Sequence, residues 1–167
     1  MRKGMAEQTK ELETTDEKFY IDKSAGLEQA LKEYPCVYLE GAAASGKTTA
    51  VRMLCRRQEN LSVLAVCAGE EELETYGERI RRFLNPETEQ KGRNKWIFIE
   101  GVPGTLTEEE KTFFLTLIPQ LGPGERLILE GREDLPEAFL DLLWKGKIQL
   151  IVQESLMLTR TEVVRLA

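Results

Sequence analysis

Residues 37–57 read VYLEGAAASGKTTAVRMLCRR. Gly41, Gly46, Lys47 and Thr48 satisfy G-x-x-x-x-G-K-[ST], the spacing of a phosphate-binding loop. The flanks agree with that reading. Upstream, Cys36-Val37-Tyr38-Leu39 is a short apolar run of the kind that forms a buried strand. Downstream, Ala50, Val51, Leu54 and Cys55 recur at helical spacing. Strand, glycine-bounded loop and helix in succession are the context this motif needs.

The residue types suit a polyanion that must leave bulk water. Gly41 permits a tight turn, and Gly46 lets the backbone come close to phosphate. The consecutive N–H groups of the loop form an anion nest, to which the N-terminus of the following helix adds its dipole. Ala42, Ala43, Ala44 and Ser45 are small and leave room for the ligand. Lys47 supplies a mobile point charge for the terminal phosphates, and Thr48 offers a hydroxyl to Mg²⁺. Thr49 completes the set of nucleotide-binding positions.

Outward from the loop the chain alternates between two patterns. Toward the N-terminus, Asp22 or Ser24 is placed to cap a short helix with Leu27, Ala30 and Leu31 on its inner face, ended by Tyr34-Pro35. Tyr20 and Ile21 are candidates to pack against a nucleotide base or in the core. Residues 1–18 are polar and charged and read as a loosely ordered arm. Toward the C-terminus, residues 61–67 (LSVLAVC) read as a second buried strand. Leu73, Tyr76, Ile80, Phe83 and Leu84 then follow at close to helical spacing. Arg79, Arg81 and Arg82 on that helix are read as solvated surface, the alternative being contact with a phosphate or a partner. Asn85-Pro86 ends the helix.

Residues 95–100 (KWIFIE) form an apolar strand closed by an acid. Glu100 is the candidate second metal-side carboxylate, on condition that its strand lies beside the loop strand; otherwise it is a strand-end acid facing water. Thr107-x-x-Glu110 is a capping box with Leu106 as a staple residue, ahead of a helix lined by Phe113, Phe114, Leu117, Ile118 and Leu121. Gly122-Pro123-Gly124 stops that helix. Residues 126–130 (RLILE) are a further strand, with Gly131-Arg132 at its end. Asp134 is expected to cap a helix with Pro136 in its first turn. Phe139, Leu140, Leu143 and Trp144 are expected to line it. Residues 148–152 (IQLIV) are a last strand, and Thr159-x-x-Glu162 opens another helix.

Five strands alternating with helices predict an α/β fold, a five-stranded parallel sheet with helices on both faces. Ligands in such sheets bind beyond the C-terminal strand ends. Gly41 to Thr48, Glu100 and Arg132 all fall at such ends, on three different strands.

The 167 residues suffice for one domain with its own core. No apolar run approaches the ~20 residues that span a bilayer, and no signal peptide opens the chain, so a cytoplasmic location without membrane contact is expected. A net charge of −6 argues against DNA binding by this segment alone. Cys36, Cys55 and Cys67 are widely spaced and histidine is absent, which argues against zinc and against histidine-dependent hydrolase chemistry.

The stations GAAASGKTT, WIFIEGV with TEEEKTFFLTLI, RLILEGREDLP and LMLTRTEVVRLA together resemble the N-terminal ATPase domain of the MalT-type, LuxR-family transcriptional regulators, in the STAND branch of P-loop NTPases. The resemblance covers residues 19–167. It implies a nucleotide-binding domain over 19–158 and, at 159–167, a helix leading into a downstream domain. It implies ATP or ADP with Mg²⁺ as cofactors, Lys47 and Thr48 in the phosphate and metal roles, Glu100 as a catalytic and metal-side acid, and Arg132 as a sensor arginine. It also implies winged-helix, sensor-repeat and helix-turn-helix neighbours, DNA contact only through those neighbours, and nucleotide-dependent self-association. The family has Asp where Glu100 stands, often followed by a second acid, where this chain has Gly101. A missing general base costs roughly 10²–10⁴ in rate, so slow or absent hydrolysis is expected. A P-loop small-molecule kinase and an interaction domain with a relic loop are the alternatives. A GTPase would need Asn-Lys-x-Asp, and Asn94-Lys95 is followed by Trp96-Ile97.

Overall fold

The computed structural model describes residues 26–41, 47–85 and 93–152, and only the backbone of 47–49. The readings made for residues 1–25, 42–46, 86–92 and 153–167 lie outside the described residues. In chain order the elements are α1 (26–33), β1 (Cys36–Glu40), α2 (Lys47–Arg56), β2 (Leu61–Cys67), α3 (Leu73–Leu84), β3 (Asn94–Glu100), α4 (Glu108–Gln120) and β4 (Glu125–Gly131). A 3₁₀ turn (Glu137–Phe139) then runs into α5 (Leu140–Trp144), and β5 (Ile148–Val152) follows.

The five strands form one parallel sheet in the order β2-β3-β4-β1-β5. The crossover through α2 passes over β4 and β3 to reach β2. The next three crossovers step back the other way. Reversing direction while keeping each crossover right-handed puts the helix on the opposite face. Accordingly α1 and α2 bury Leu27, Ala30, Leu31, Ala50, Val51 and Leu54 against Val37, Leu39, Trp96, Phe98 and Ile128. On the other face α3, α4 and α5 bury Tyr76, Ile80, Phe114, Ile118, Phe139 and Leu142 against Tyr38, Ile97, Ile99, Leu127 and Leu129. The α/β architecture with helices on both faces is the one the periodicity predicts.

Local chemistry fixes the ends of these elements. The Thr107 side chain accepts from the Glu110 N–H at 3.1 Å while the Glu110 carboxylate accepts from the Thr107 N–H at 2.9 Å, the reciprocal capping box. Leu106 is buried in the main core, but the position it would staple to is Lys111. At the other end of the layer, the buried Lys95 donates to the Asn85 carbonyl at the C-terminus of α3 and lies over the Phe83 ring. A cation there complements the helix dipole.

Three expectations are corrected. β2 is an edge strand, not a buried one: its exposure alternates, and Val63 is 44% exposed. The α5 lining is also different. Leu140 and Trp144 face solvent, Trp144 at 86% exposure, while Phe139 and Leu142 are buried. Asp134 is not the cap either. The helical segment starts after Pro136, whose extended ψ of 137° leads straight into the 3₁₀ turn. Three residues per turn instead of 3.6 shift the inward face, so the expected stripe slips out of phase.

Candidate functional site

Because all strands run the same way, their C-terminal ends share one rim. At that rim β1 is followed by a crossover toward β2, and its neighbour β4 by one toward β5. Connections that leave adjacent strands in opposite directions open a crevice between them. The phosphate-loop motif spans this point. β1 ends at Glu40 and α2 starts at Lys47, so the intervening residues join the strand end to the helix N-terminus, whose first N–H groups have no partner within the helix. Gly41 adopts φ 152°, a conformation glycine reaches readily and other residues rarely do. Its N–H donates to the Gly131 carbonyl at 3.0 Å, which pins the start of the loop to the end of β4. Ala42, Ala43, Ala44, Ser45 and Gly46, and the side chains of Lys47, Thr48 and Thr49, lie outside the described residues.

Glu100 is the last residue of β3 and is half-buried; Arg132 follows β4 directly and is exposed. The rim thus brings Gly41, Arg132 and Glu100 onto three successive strands, β1, β4 and β3. One condition fails: β3 is not beside β1, because β4 lies between them. Strands joined by crossovers need not be neighbours, and an apolar run reveals a strand without revealing its slot. With strands about 4.8 Å apart, Glu100 starts about 10 Å from the loop strand and must reach across the end of β4.

The residue that does stand beside the loop strand is Glu130, which sequence reading passed over as the end of a strand. It is paired in register with Leu39 of β1 and is only 8% exposed. Parallel register partners project to the same side, so Glu130 faces the α2 side with Leu39 and Ile128. Glu100, two residues beyond Phe98, faces that side too. The Glu130 carboxylate accepts from the Gly101 N–H at 3.4 Å, and its backbone carbonyl accepts from the Val102 N–H at 2.9 Å. An acid interrupting Leu127-Ile128-Leu129 was the available signal.

On the opposite face the segment after β4 is tied down. The Tyr38 hydroxyl donates to the Glu133 carbonyl at 3.3 Å, and Glu40 accepts from the Leu135 N–H at 3.1 Å. Gly131 is required here, since a Cβ would sit 2.0 Å from the Tyr38 hydroxyl and 3.1 Å from the Val102 carbonyl. Burial, and then the charges of Glu40, Glu130, Glu133 and Asp134, push the Tyr38 phenol up. Burial alone pushes up the Cys36 and Cys55 thiols, which makes both poor nucleophiles.

The arginines of α3 are surface residues away from this crevice. Arg79 pairs with Glu71 at 2.6 Å, Arg82 with Glu78 at 3.3 Å, and Arg81 lies 5.7 Å from the centre of the Phe113 ring. Beside them a groove of about 890 Å³ runs between α3 and α4. Six carboxylates line it, Glu71, Glu72, Glu74, Glu78, Glu109 and Glu110, against the single cation Arg81, so it repels a polyphosphate. No protein-family model matches the chain, and no curated protein matches it. No helix among the described residues is long and apolar enough to cross a membrane.

Proposed function

We propose that this chain is a nucleotide-binding regulatory module that takes ATP or ADP with Mg²⁺ and uses the bound nucleotide as a conformational switch, as in the MalT-type, LuxR-family regulators its motifs resemble. One observation carries the reading. The G-x-x-x-x-G-K-T motif joins an interior strand to a helix N-terminus at the point where the connections of β1 and β4 diverge. That is where a parallel sheet offers unpaired N–H groups and a crevice together.

The residues present fit the ligand. Gly41 has a positive φ of 152°, which glycine reaches readily, and two carboxylates face the α2 side at the same rim. Lys47 would hold the terminal phosphates. Thr48 would hold Mg²⁺, with Glu100, one strand further out than expected, meeting it through one of the waters that Mg²⁺ keeps. Bound Mg²⁺ supplies charge neutralisation between the phosphates. Arg132, exposed beyond β4, would sense the terminal phosphate. Without an acid at Gly101 the module is at most a slow ATPase. In a longer regulator its output would pass to winged-helix, sensor-repeat and helix-turn-helix domains, with DNA contact confined to the latter and self-association following nucleotide state.

The test is a fluorescent-ATP titration of the wild type and Lys47→Ala. Binding should be lost in the variant; unchanged affinity rejects the site. In parallel, Mg·ATP or Mg·ADP at 100 times Kd should stabilise the fold by about 2.7 kcal/mol, with GTP doing less.

A further inference from the structure

We propose that the groove between α3 and α4 is a docking site for a basic amphipathic helix of a partner protein. The proposal goes beyond the nucleotide reading and does not rest on it. The groove has an apolar floor. Leu73 of α3 and Phe113 and Leu117 of α4 are half-buried and line it. Phe113 and Leu117 stand one helical turn apart, a stripe onto which a third helix can pack. Its lining runs from Glu108 to Gln120, the full 13 residues of α4, so it is about 20 Å long and takes three to four turns of helix. Acids gather at one end, where α3 and α4 begin. Glu71, Glu78 and Glu108 are paired with Arg79, Arg82 and Lys111. Glu72, Glu74 and Glu109 are exposed and form no ion pair among the described residues.

Helix dipoles favour acids in first turns, so these charges alone decide little. Tyr76 supplies the second observation. It lines the same groove, is 1% exposed, and its hydroxyl has no hydrogen-bond partner among the described residues. A buried hydroxyl left so carries the desolvation cost of a polar atom with nothing to offset it. The Glu110 carboxylate lines the groove too, and its charge acts on that phenol. A lysine or arginine arriving there donates to the phenol oxygen and neutralises Glu110 in one placement. A free cation would satisfy the acids and leave Leu73, Phe113 and Leu117 wet. A wholly apolar helix would cover the floor and strand the acids. A second copy of this chain brings the same net charge of −6. A helix with an apolar stripe and lysines or arginines toward one end meets both needs. Its cationic end lies at Glu72, Glu74 and Glu109, and its apolar end toward Leu117.

The probe is a fluorescein-labelled helical peptide of about four turns with leucines at i, i+3, i+4 and i+7 and lysines elsewhere. A second peptide carries glutamate in place of every lysine. Anisotropy titration should show saturable binding of the lysine peptide and none of the glutamate one. Salt at about 1 M, where the Debye length is about 3 Å, should weaken it. Glu74→Gln/Glu109→Gln removes two unpaired charges and should weaken binding roughly 2- to 30-fold. Tyr76→Phe should weaken it about tenfold while melting temperature holds or rises. Glu33→Gln/Glu59→Gln makes the same charge change on α1 and the turn before β2, and should leave affinity unchanged. Absence of saturable binding overturns the proposal. So does equal binding of the glutamate peptide, an unchanged affinity in Glu74→Gln/Glu109→Gln, or an equal loss in Glu33→Gln/Glu59→Gln. A Tyr76 that serves only the fold would shift melting temperature and leave peptide affinity alone, which also overturns it. If Tyr76→Phe does not fold, the glutamine pairs decide. Sedimentation covers the remaining occupant: a dimer that the lysine peptide dissociates assigns the groove to a second copy and removes the partner.

Discussion

The two faces of the sheet are built on different principles. The α3–α5 face is closed by aromatic rings in edge-to-face sequence, with Tyr76, Phe113, Phe114 and Phe139 joined by centroid distances of 6.1, 5.3 and 5.7 Å. The α1–α2 face packs aliphatic helix side chains onto Trp96 and Phe98 of the sheet and ends, at the C-terminal rim, in the carboxylates of Glu100 and Glu130. Large rings lock one layer in place. The other layer places two carboxylates at its rim, Glu100 half-buried and Glu130 buried. On the proposed function, packing and ligand contact lie on opposite sides of one sheet.

The contrast is breakable, and the largest effect should come from the ringed layer. Phe114→Ala removes a fully buried ring that touches two others and should cost about 3–5 kcal/mol in urea unfolding. A smaller loss would mean that layer is less tightly packed than its geometry indicates. Next comes the seam between the two tasks. Gly131→Ala places a methyl group against the Tyr38 hydroxyl and should destabilise by about 1–3 kcal/mol. Tyr38→Phe in the same chain removes that oxygen and should restore part of the loss, which a double-mutant cycle measures. Smaller still is the cap of α4, where Thr107→Ala should cost about 1 kcal/mol and leave nucleotide affinity untouched.

Alkaline pH sharpens the comparison further. Burial raises the Cys36 thiol above its ordinary value of 9.0, and the Tyr38 and Tyr76 phenols above 10.0. For Tyr76 the Glu110 charge adds to burial. Groups with a raised folded-state pKa contribute their full stability below the unfolded value and lose it as pH climbs toward the folded one. Melting temperature should therefore hold steady up to about pH 9 and fall beyond it. Tyr76→Phe, on the ringed face, should make that decline shallower. A flat profile to pH 11 would contradict the burial of these groups.

Much of the fold was legible because its strands read as short apolar runs bounded by turn residues, at the edges of the sheet as well as inside it. LSVLAVC and IQLIV coincide with β2 and β5, and the other three strands are off by at most one residue at an end. Strand order was not legible. Nothing in KWIFIE or RLILE says which of them lies beside the loop strand, and that ordering decides whether Glu100 or Glu130 is the nearer acid. The α5 stripe failed for a local reason: Pro136 and a 3₁₀ turn changed the period just where four apolar residues invited a uniform helical reading. Around the candidate site, the strand before the motif and the helix after it were legible from their apolar spacing. Glu130 escaped notice because its significance comes from its neighbour strand, not from its neighbours in sequence.

The chain holds two indoles in opposite surroundings. Trp96 is 7% exposed beneath α2, and Trp144 is 86% exposed on α5. Iodide will quench the emission of Trp144 and spare that of Trp96, so the residual blue-shifted fluorescence is an intrinsic signal from the layer behind the phosphate loop. Any ligand that repositions α2 can then be followed in unlabelled protein, in real time, by light alone.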